Sequence, residues 1–274
     1  MIMMRLSLPL VVLLACCSAS SGPEPECDAD SPAQYQPAIP AAELELGKRI
    51  GAGTEKVIYA GRWRGIDVAA MEILGHSKAR DIALQRRIAQ HPTLGAHPAL
   101  VRVFGETDDG RFILNELAPL GSLTNYDGSA AVLTRPDIGG RATTAVLLEA
   151  ASQILDADVA LFDAGLLHRD LAARNVLAHS FPPDDPAGVV VKLTDFGLTI
   201  PIGGDPAWPP GHAMGTRWMA PEAQPTAAFE FGEASEVYAW GCLLYELFAR
   251  GRVSSRRRRH RPVYPFSYSL GHAI

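Results

Sequence analysis

Cysteine is scarce in the part of the chain that must fold. Of the four cysteines, Cys16, Cys17 and Cys27 stand near the N-terminus and Cys242 stands by itself far downstream, which excludes a disulfide framework or a thiolate metal cluster. The apolar run from Leu6 to Cys17 falls short of the roughly 20 residues that a membrane-spanning helix requires. A basic excess is also lacking. The formal net charge is -5, so nucleic acid is not an expected partner, and the local run "RRRRHR" at 256–261 reads as a solvated charge cluster. Two further absences bear on the motifs below: no glutamate lies between Glu72 and Glu106, and no tyrosine between Asp195 and Glu222. What remains, 47% hydrophobic and 20% charged residues, is the composition of an ordinary globular chain with a buried core.

At the start of the chain a single Arg5, an apolar stretch and then small residues have the layout of a secretory signal peptide over 1–20. No basic residue follows until Lys48, a charge asymmetry that directs the rest of the chain across a membrane if the signal operates. The expected location is then the secretory pathway or a membrane surface, and otherwise the cytoplasm. Residues 21–43, rich in Pro, Ala, Glu and Asp, read as a disordered linker. Beyond it, "LELGKRI", "KVIYAGRW" and "DVAAMEIL" alternate as three strands with turns between them, and "ARDIALQRRIAQ" has helical spacing. "ALVRVFG" and "RFILNEL" add two more strands, for a five-stranded lobe with one helix. Apolar steps of three and four then predict a long helix within 144–167 and another over 235–251, ended by Gly251.

Three strings stand in order on this background: "HRDLAARN" at 168–175, "DFG" at 195–197 and "APE" at 220–222. Behind a Gly-rich strand-turn-strand, the ordered set resembles the eukaryotic protein kinase domain, and its "AARN" and "RWMAPE" are similar to the tyrosine-kinase and tyrosine-kinase-like groups. The resemblance implies an α+β, two-lobed fold over 44–251, with a small lobe at 44–118 and a partial, mostly helical large lobe at 119–251. The basic stretch 252–274 lacks the periodicity of the helices that close such a lobe, so the chain reads as C-terminally truncated, with Glu222 unpaired and a partner expected to cover the exposed face.

The same resemblance implies ATP and Mg2+ as cofactors and a protein as substrate. Phosphoryl transfer needs an aligned hydroxyl and neutralised phosphate charge, and the motif positions assign those tasks. Asp170 is the expected base, with Arg174 beside it, and Asn175 and Asp195 are the expected metal ligands. Ile50, Gly51, Gly53 and Ile58 of the Gly-rich loop, Ala69 and Leu177 around the base, Asn115 as gatekeeper, and Glu116 and Ala118 of the hinge are the expected nucleotide contacts. His168 and Phe196 read as packing residues that aim their neighbours.

Strand three departs from the pattern. "VAAMEIL" puts Met71 where the phosphate-binding lysine belongs, and counting back from His97 puts Arg87 at the place of the helix glutamate that pairs with that lysine. In the with-no-lysine kinases the substitute comes from the Gly-rich loop, at the position held here by Lys56. The alternatives are that Lys56 is an exposed loop residue of an inactive pseudokinase that binds or scaffolds, or that the chain is a truncated product without function. Specificity for Tyr or for Ser/Thr stays open at this level.

Overall fold

The computed structural model of the protein describes residues 35–53, 56–74, 78–125, 131–205, 215–224 and 231–251. The signal-peptide reading of 1–20, the earlier part of the linker and the tail at 252–274 lie outside the described residues.

A six-stranded sheet forms the first part. Its strands are β1 (Gln36–Ile39), β2 (Leu44–Ala52), β3 (Lys56–Trp63), β4 (Ile66–Ile73), β5 (Val103–Thr107) and β6 (Phe112–Glu116), in the spatial order β1-β5-β6-β4-β3-β2. The five strands expected from alternation are all present. The sixth, β1, corrects the linker reading, because residues 36–39 pair in parallel with β5 instead of being disordered. The physical reason is burial: Ile39 is 0% exposed and packs with Trp63, Val68, Ala70, Phe104 and Leu114. Composition hid this, since one apolar anchor in a Pro- and Ala-rich stretch carries little signal. Gly105 admits the close approach, for a Cβ there would stand 1.9 Å from the Gln36 carbonyl oxygen.

One helix, α1 (Lys78–Ala89), follows β4 and turns Ile82, Gln85 and Ile88 inward while Arg86 and Arg87 are exposed. It packs on the turn Phe196–Leu198 and on β5. Hydrogen bonds from Val101 N to Leu193 O (2.9 Å) and from Leu193 N to Ala99 O (2.8 Å) join the segment after α1 to the second part of the molecule.

That second part is built around α2 (Thr144–Asp163) and α3 (Glu233–Phe248). α2 begins where the Thr143 hydroxyl accepts from Val146 N (3.3 Å), and it buries Val146, Leu147, Ala150, Ala151, Ile154, Ala157 and Leu161, a stripe at helical spacing. α3 ends where Gly251 takes φ +70 and donates its N–H to Glu246 O, a left-handed cap that a side chain disfavours. Short strands complete this part. β7 (Gly121–Ser122), β9 (Val176–Ser180) and β10 (Val190–Leu193) form a three-stranded sheet, while β8 (Leu166–Leu167) pairs with β11 (Ile200–Pro201). The fold is thus α+β with a sheet lobe and a helical part. The solvent side of α3 leaves Val237 69%, Tyr245 52% and Phe248 44% exposed, the apolar face that the sequence reading expected a partner to cover.

The anchoring of β1 makes a direct prediction. Ile39→Ala should lower stability by about 2–5 kcal/mol, the usual range for truncating a fully buried aliphatic side chain. Thermal melting checks it, and an unchanged transition would return residues 36–39 to the status of a linker.

Candidate functional site

The segment between β8 and β9 carries "HRDLAARN", and α3 fixes it from below through two buried glutamates. Glu236 Oε1 accepts from His168 N (2.7 Å) and Arg169 N (3.1 Å), and its Oε2 accepts from Arg169 N at 3.1 Å. This holds Arg169 at φ +69, a conformation that costs a non-glycine residue energy. Glu246 Oε2 accepts from Ala173 N (2.9 Å) and from Trp218 Nε1 (2.6 Å), so one carboxylate ties the loop to the "RWMAPE" segment. Sequence reasoning missed Glu246; the available signal was an acidic residue on the buried face of an otherwise apolar helix.

His168 is fully buried, and burial holds its imidazole below the usual range. Its Nδ1 accepts from Asp170 N at 3.2 Å, so the proton sits on Nε2, which donates to Thr194 O at 3.0 Å. The Phe196 ring meets it edge-on at 5.7 Å. Both residues act as packing groups that aim the loop. Asp170 is gripped twice: Arg174 Nη2 donates to Oδ1, and Asn175 Nδ2 donates to Oδ2 at 2.7 Å and to the Asp170 carbonyl at 2.8 Å. Arg174 lies over the Trp218 ring, 4.3 Å from its centroid.

Asp195 follows in the left-handed region at φ +69, ψ +67, and its Oδ2 lies 2.5 Å from Lys56 Nζ. Burial pushes this carboxyl up, but the Lys56 ammonium and its hydrogen bond, with His168 and Arg174, outweigh it and the net shift is downward. Lys56 opens β3, and its carbonyl accepts from Gly53 N at 2.8 Å. Lys56 therefore points into the cleft; both side chains of the pair are 32% exposed.

Strand β4 gives no cation here. Met71 is buried among Ile73, Val103 and Ile113, with Ile58 and Ile82 packed against them. Arg87 does not face the cleft, which corrects its placement at the helix-glutamate position; it lines an outer depression with Ala83, Arg86, Gln90, His91 and Pro92. Between α1 and His97 the chain makes a turn of 3-10 helix at Leu94–Ala96, which a count along the sequence does not see. Asp81 lies on the inner side instead: a Cβ at Gly197 would stand 3.3 Å from its carboxyl. A search for glutamate alone passed over it.

On the nucleotide side, Ala69, Asn115, Ala118 and Leu177 are half-buried, Gly51 pairs with Ile58 across β2 and β3, and Ile50 is 45% exposed. Ala69 and Asn115 are register partners. The Asn115 amide oxygen is buried with no hydrogen-bond donor among the described residues, a vacancy that suits a donor on a bound base. Glu116 departs from expectation in part. Its N–H is spent on Arg102 O (3.0 Å), and its carboxylate takes Lys192 Nζ at 2.7 and 2.8 Å and Arg102 N at 2.6 Å. Glu222 is likewise not left unpaired, since Ser235 Oγ donates to it at 2.9 Å.

The loop anchor titrates. Burial, and then the nearby Asp158 of α2, push Glu236 up to about 8, while burial pushes Asp158 up to about 7. A carboxyl whose folded pKa exceeds its unfolded one keeps its proton in the fold, so this stability is present at low pH and lost as pH rises through the folded value. The melting temperature should therefore fall as pH is raised from about 5 to about 8, and Glu236→Gln should flatten that slope. A slope unchanged by the substitution would place the titrating groups elsewhere.

A family model described as protein tyrosine and serine/threonine kinase matches residues 44–267. Tyrosine protein-kinase src-1 of Caenorhabditis elegans is 32% identical over 234 residues, covering 82% of this chain and 40% of that protein. The human cytoplasmic tyrosine-protein kinase BMX is 29% identical over 256 residues, covering 85% of this chain and 35% of that protein. Drosophila melanogaster tyrosine-protein kinase Src64B is 30% identical over 221 residues, covering 78% and 36%. The chain thus spans less than half the length of these relatives. With the family model covering most of the sequence, this chain belongs to the protein tyrosine and serine/threonine kinase family.

Proposed function

We propose that this chain transfers the γ-phosphoryl group of ATP to a tyrosine hydroxyl on a protein substrate, with Lys56 supplying the positive charge that strand β4 lacks. The observation that carries this reading is the Lys56–Asp195 pair at 2.5 Å, which puts an ammonium group inside the cleft although Met71 stands at the strand position. A lysine has a flexible four-carbon stem, so an ammonium from the roof of the cleft reaches the same phosphate oxygens as one from the back wall. The tyrosine acceptor is supported by Ala172, where serine/threonine enzymes carry lysine, and by the names of the relatives.

The geometry supports the following roles. Asp170, held by Arg174 and Asn175, accepts the proton of the attacking hydroxyl as its oxygen bonds to the γ-phosphorus and the bridging oxygen departs with ADP. Arg174 and the bonds from α3 keep the base aimed, since little covalent chemistry is asked of the protein and positioning supplies most of the rate. The Asn175 amide nitrogen is committed to Asp170, which leaves its oxygen, with the Asp195 carboxylate, as the hard donor pair that Mg2+ prefers. That ion, when bound, neutralises phosphate charge. The buried Asn115 oxygen accepts from the adenine amino group, between Ala69 and Leu177.

A second reading is favoured by one feature: Lys56 is already paired with Asp195 and its charge is offset there. On that reading the domain binds nucleotide or partner without transfer. Phosphate incorporation into a tyrosine-containing protein, measured for the wild type, Lys56→Met and Asp170→Asn, separates the two. Wild-type activity reduced about 100-fold or more in both variants is expected, the usual scale for losing a general base or a phosphate cation. A wild type as silent as Asp170→Asn would leave the binding module standing; activity indifferent to Lys56→Met would remove the displaced lysine.

A further inference from the structure

The family match begins at residue 44, yet the sheet begins earlier, at Gln36. The added strand is firmly seated: Asp108 N donates to Ile39 O at 2.8 Å, and Asp108 Oδ1 accepts from Ala41 N at 3.0 Å. At its head stands Tyr35, whose hydroxyl donates to Glu106 Oε1 on β5. The same carboxylate receives Arg86 of α1: Nε at 3.0 Å and Nη2 at 2.9 Å to Oε1, and Nη2 at 2.9 Å to Oε2. Arg86 Nε also lies 3.3 Å from the Tyr35 oxygen. Glu106 is thus held between the extension and the helix, with its side chain only 12% exposed. Burial and the carboxylate push the Tyr35 hydroxyl up to about 12, so it stays a donor at any working pH.

The position of α1 matters because it packs against Phe196–Leu198, the turn that directly follows Asp195. Asp81 stands beside Gly197, and Ile82 packs in the cluster around Met71. With methionine on β4, the strand has no ammonium with which to draw the helix in. We infer that Tyr35 and β1 form a clamp that does this from the other side, Tyr35 and Glu106 being positioning residues that hold α1, through Arg86, against the turn carrying Asp195. Its effect on catalysis rests on the kinase reading above; its effect on the helix does not.

Full-length protein carrying Tyr35→Phe, Glu106→Gln or the exchange Arg86→Glu with Glu106→Arg tests this. Amide hydrogen exchange over 78–89 and 196–198 reads the helix and the turn, and kcat and KM for ATP read the site. Tyr35→Phe, which keeps the strand and removes one charge-assisted bond, should speed exchange in α1 about threefold to tenfold and lower kcat by a like factor with KM little changed. Glu106→Gln should do more, and the charge exchange should recover part of the loss. If β1 exchanges faster in these variants while α1 and the 196–198 turn do not, the strand is a passenger and the clamp is wrong. Should Glu106→Gln fail to fold, Tyr35→Phe alone decides. If α1 responds but no variant or wild type transfers phosphate, the clamp stands and the kinase reading falls.

Discussion

Two buried carboxylates on one helix organise the chemistry of this molecule. Glu236 and Glu246 project from α3 and accept backbone N–H groups of the catalytic loop, so a loop with little regular structure is held at both ends by a rigid element. Burying two acids is costly, which is why each is surrounded by donors and why burial pushes both upward in pKa. The exchange is favourable because an orphaned N–H in the same place would be costly as well, and because Trp218 is caught by the same Glu246 oxygen. The loop, with Asp170 in it, and the "RWMAPE" segment are therefore both tied to α3.

Above that body the distribution of charge differs from what the strand pattern implies. The back wall beside β4 is apolar around Met71, and the ammonium comes from the start of β3. The two facts belong together. A lysine on β4 would stand among Ile73, Val103 and Ile113 and need a carboxylate from α1 to balance it, whereas Lys56 is part-exposed and finds Asp195 directly. Moving the cation toward solvent lowers the desolvation cost of the site and leaves the core behind it dry.

Helix α1 then depends on contacts other than a strand lysine for its place. It is short and strongly basic, with a narrow apolar face of Ile82 and Ile88, so burial alone orients it weakly. The Arg86–Glu106 pair and the strand at Gln36–Ile39 add directional bonds on the side away from the cleft. Energetically the extension is part of the sheet lobe, although it precedes the segment matched by the family model.

Much of this was legible in the residues. The five strands after residue 43, the three helices and the motif positions of Asp170, Asn175 and Asp195 follow from periodicity and short ordered strings, because those are local properties of the chain. So was the absence of a strand lysine, since Met71 is read straight from "VAAMEIL". The strand β1, the outward turn of Arg87, the pairing of Glu222 with Ser235 and the grip of Glu246 on the loop were not. Each depends on groups far apart in sequence: Ile39 reaches a core assembled from β3, β4, β5 and β6, and Glu246 meets Ala173 across two elements. Sequence alone determined which residue types stand in which motif and which charge is missing. Tertiary structure decided which side chains face the cleft, because burial and hydrogen-bond partners exist only once distant segments have packed.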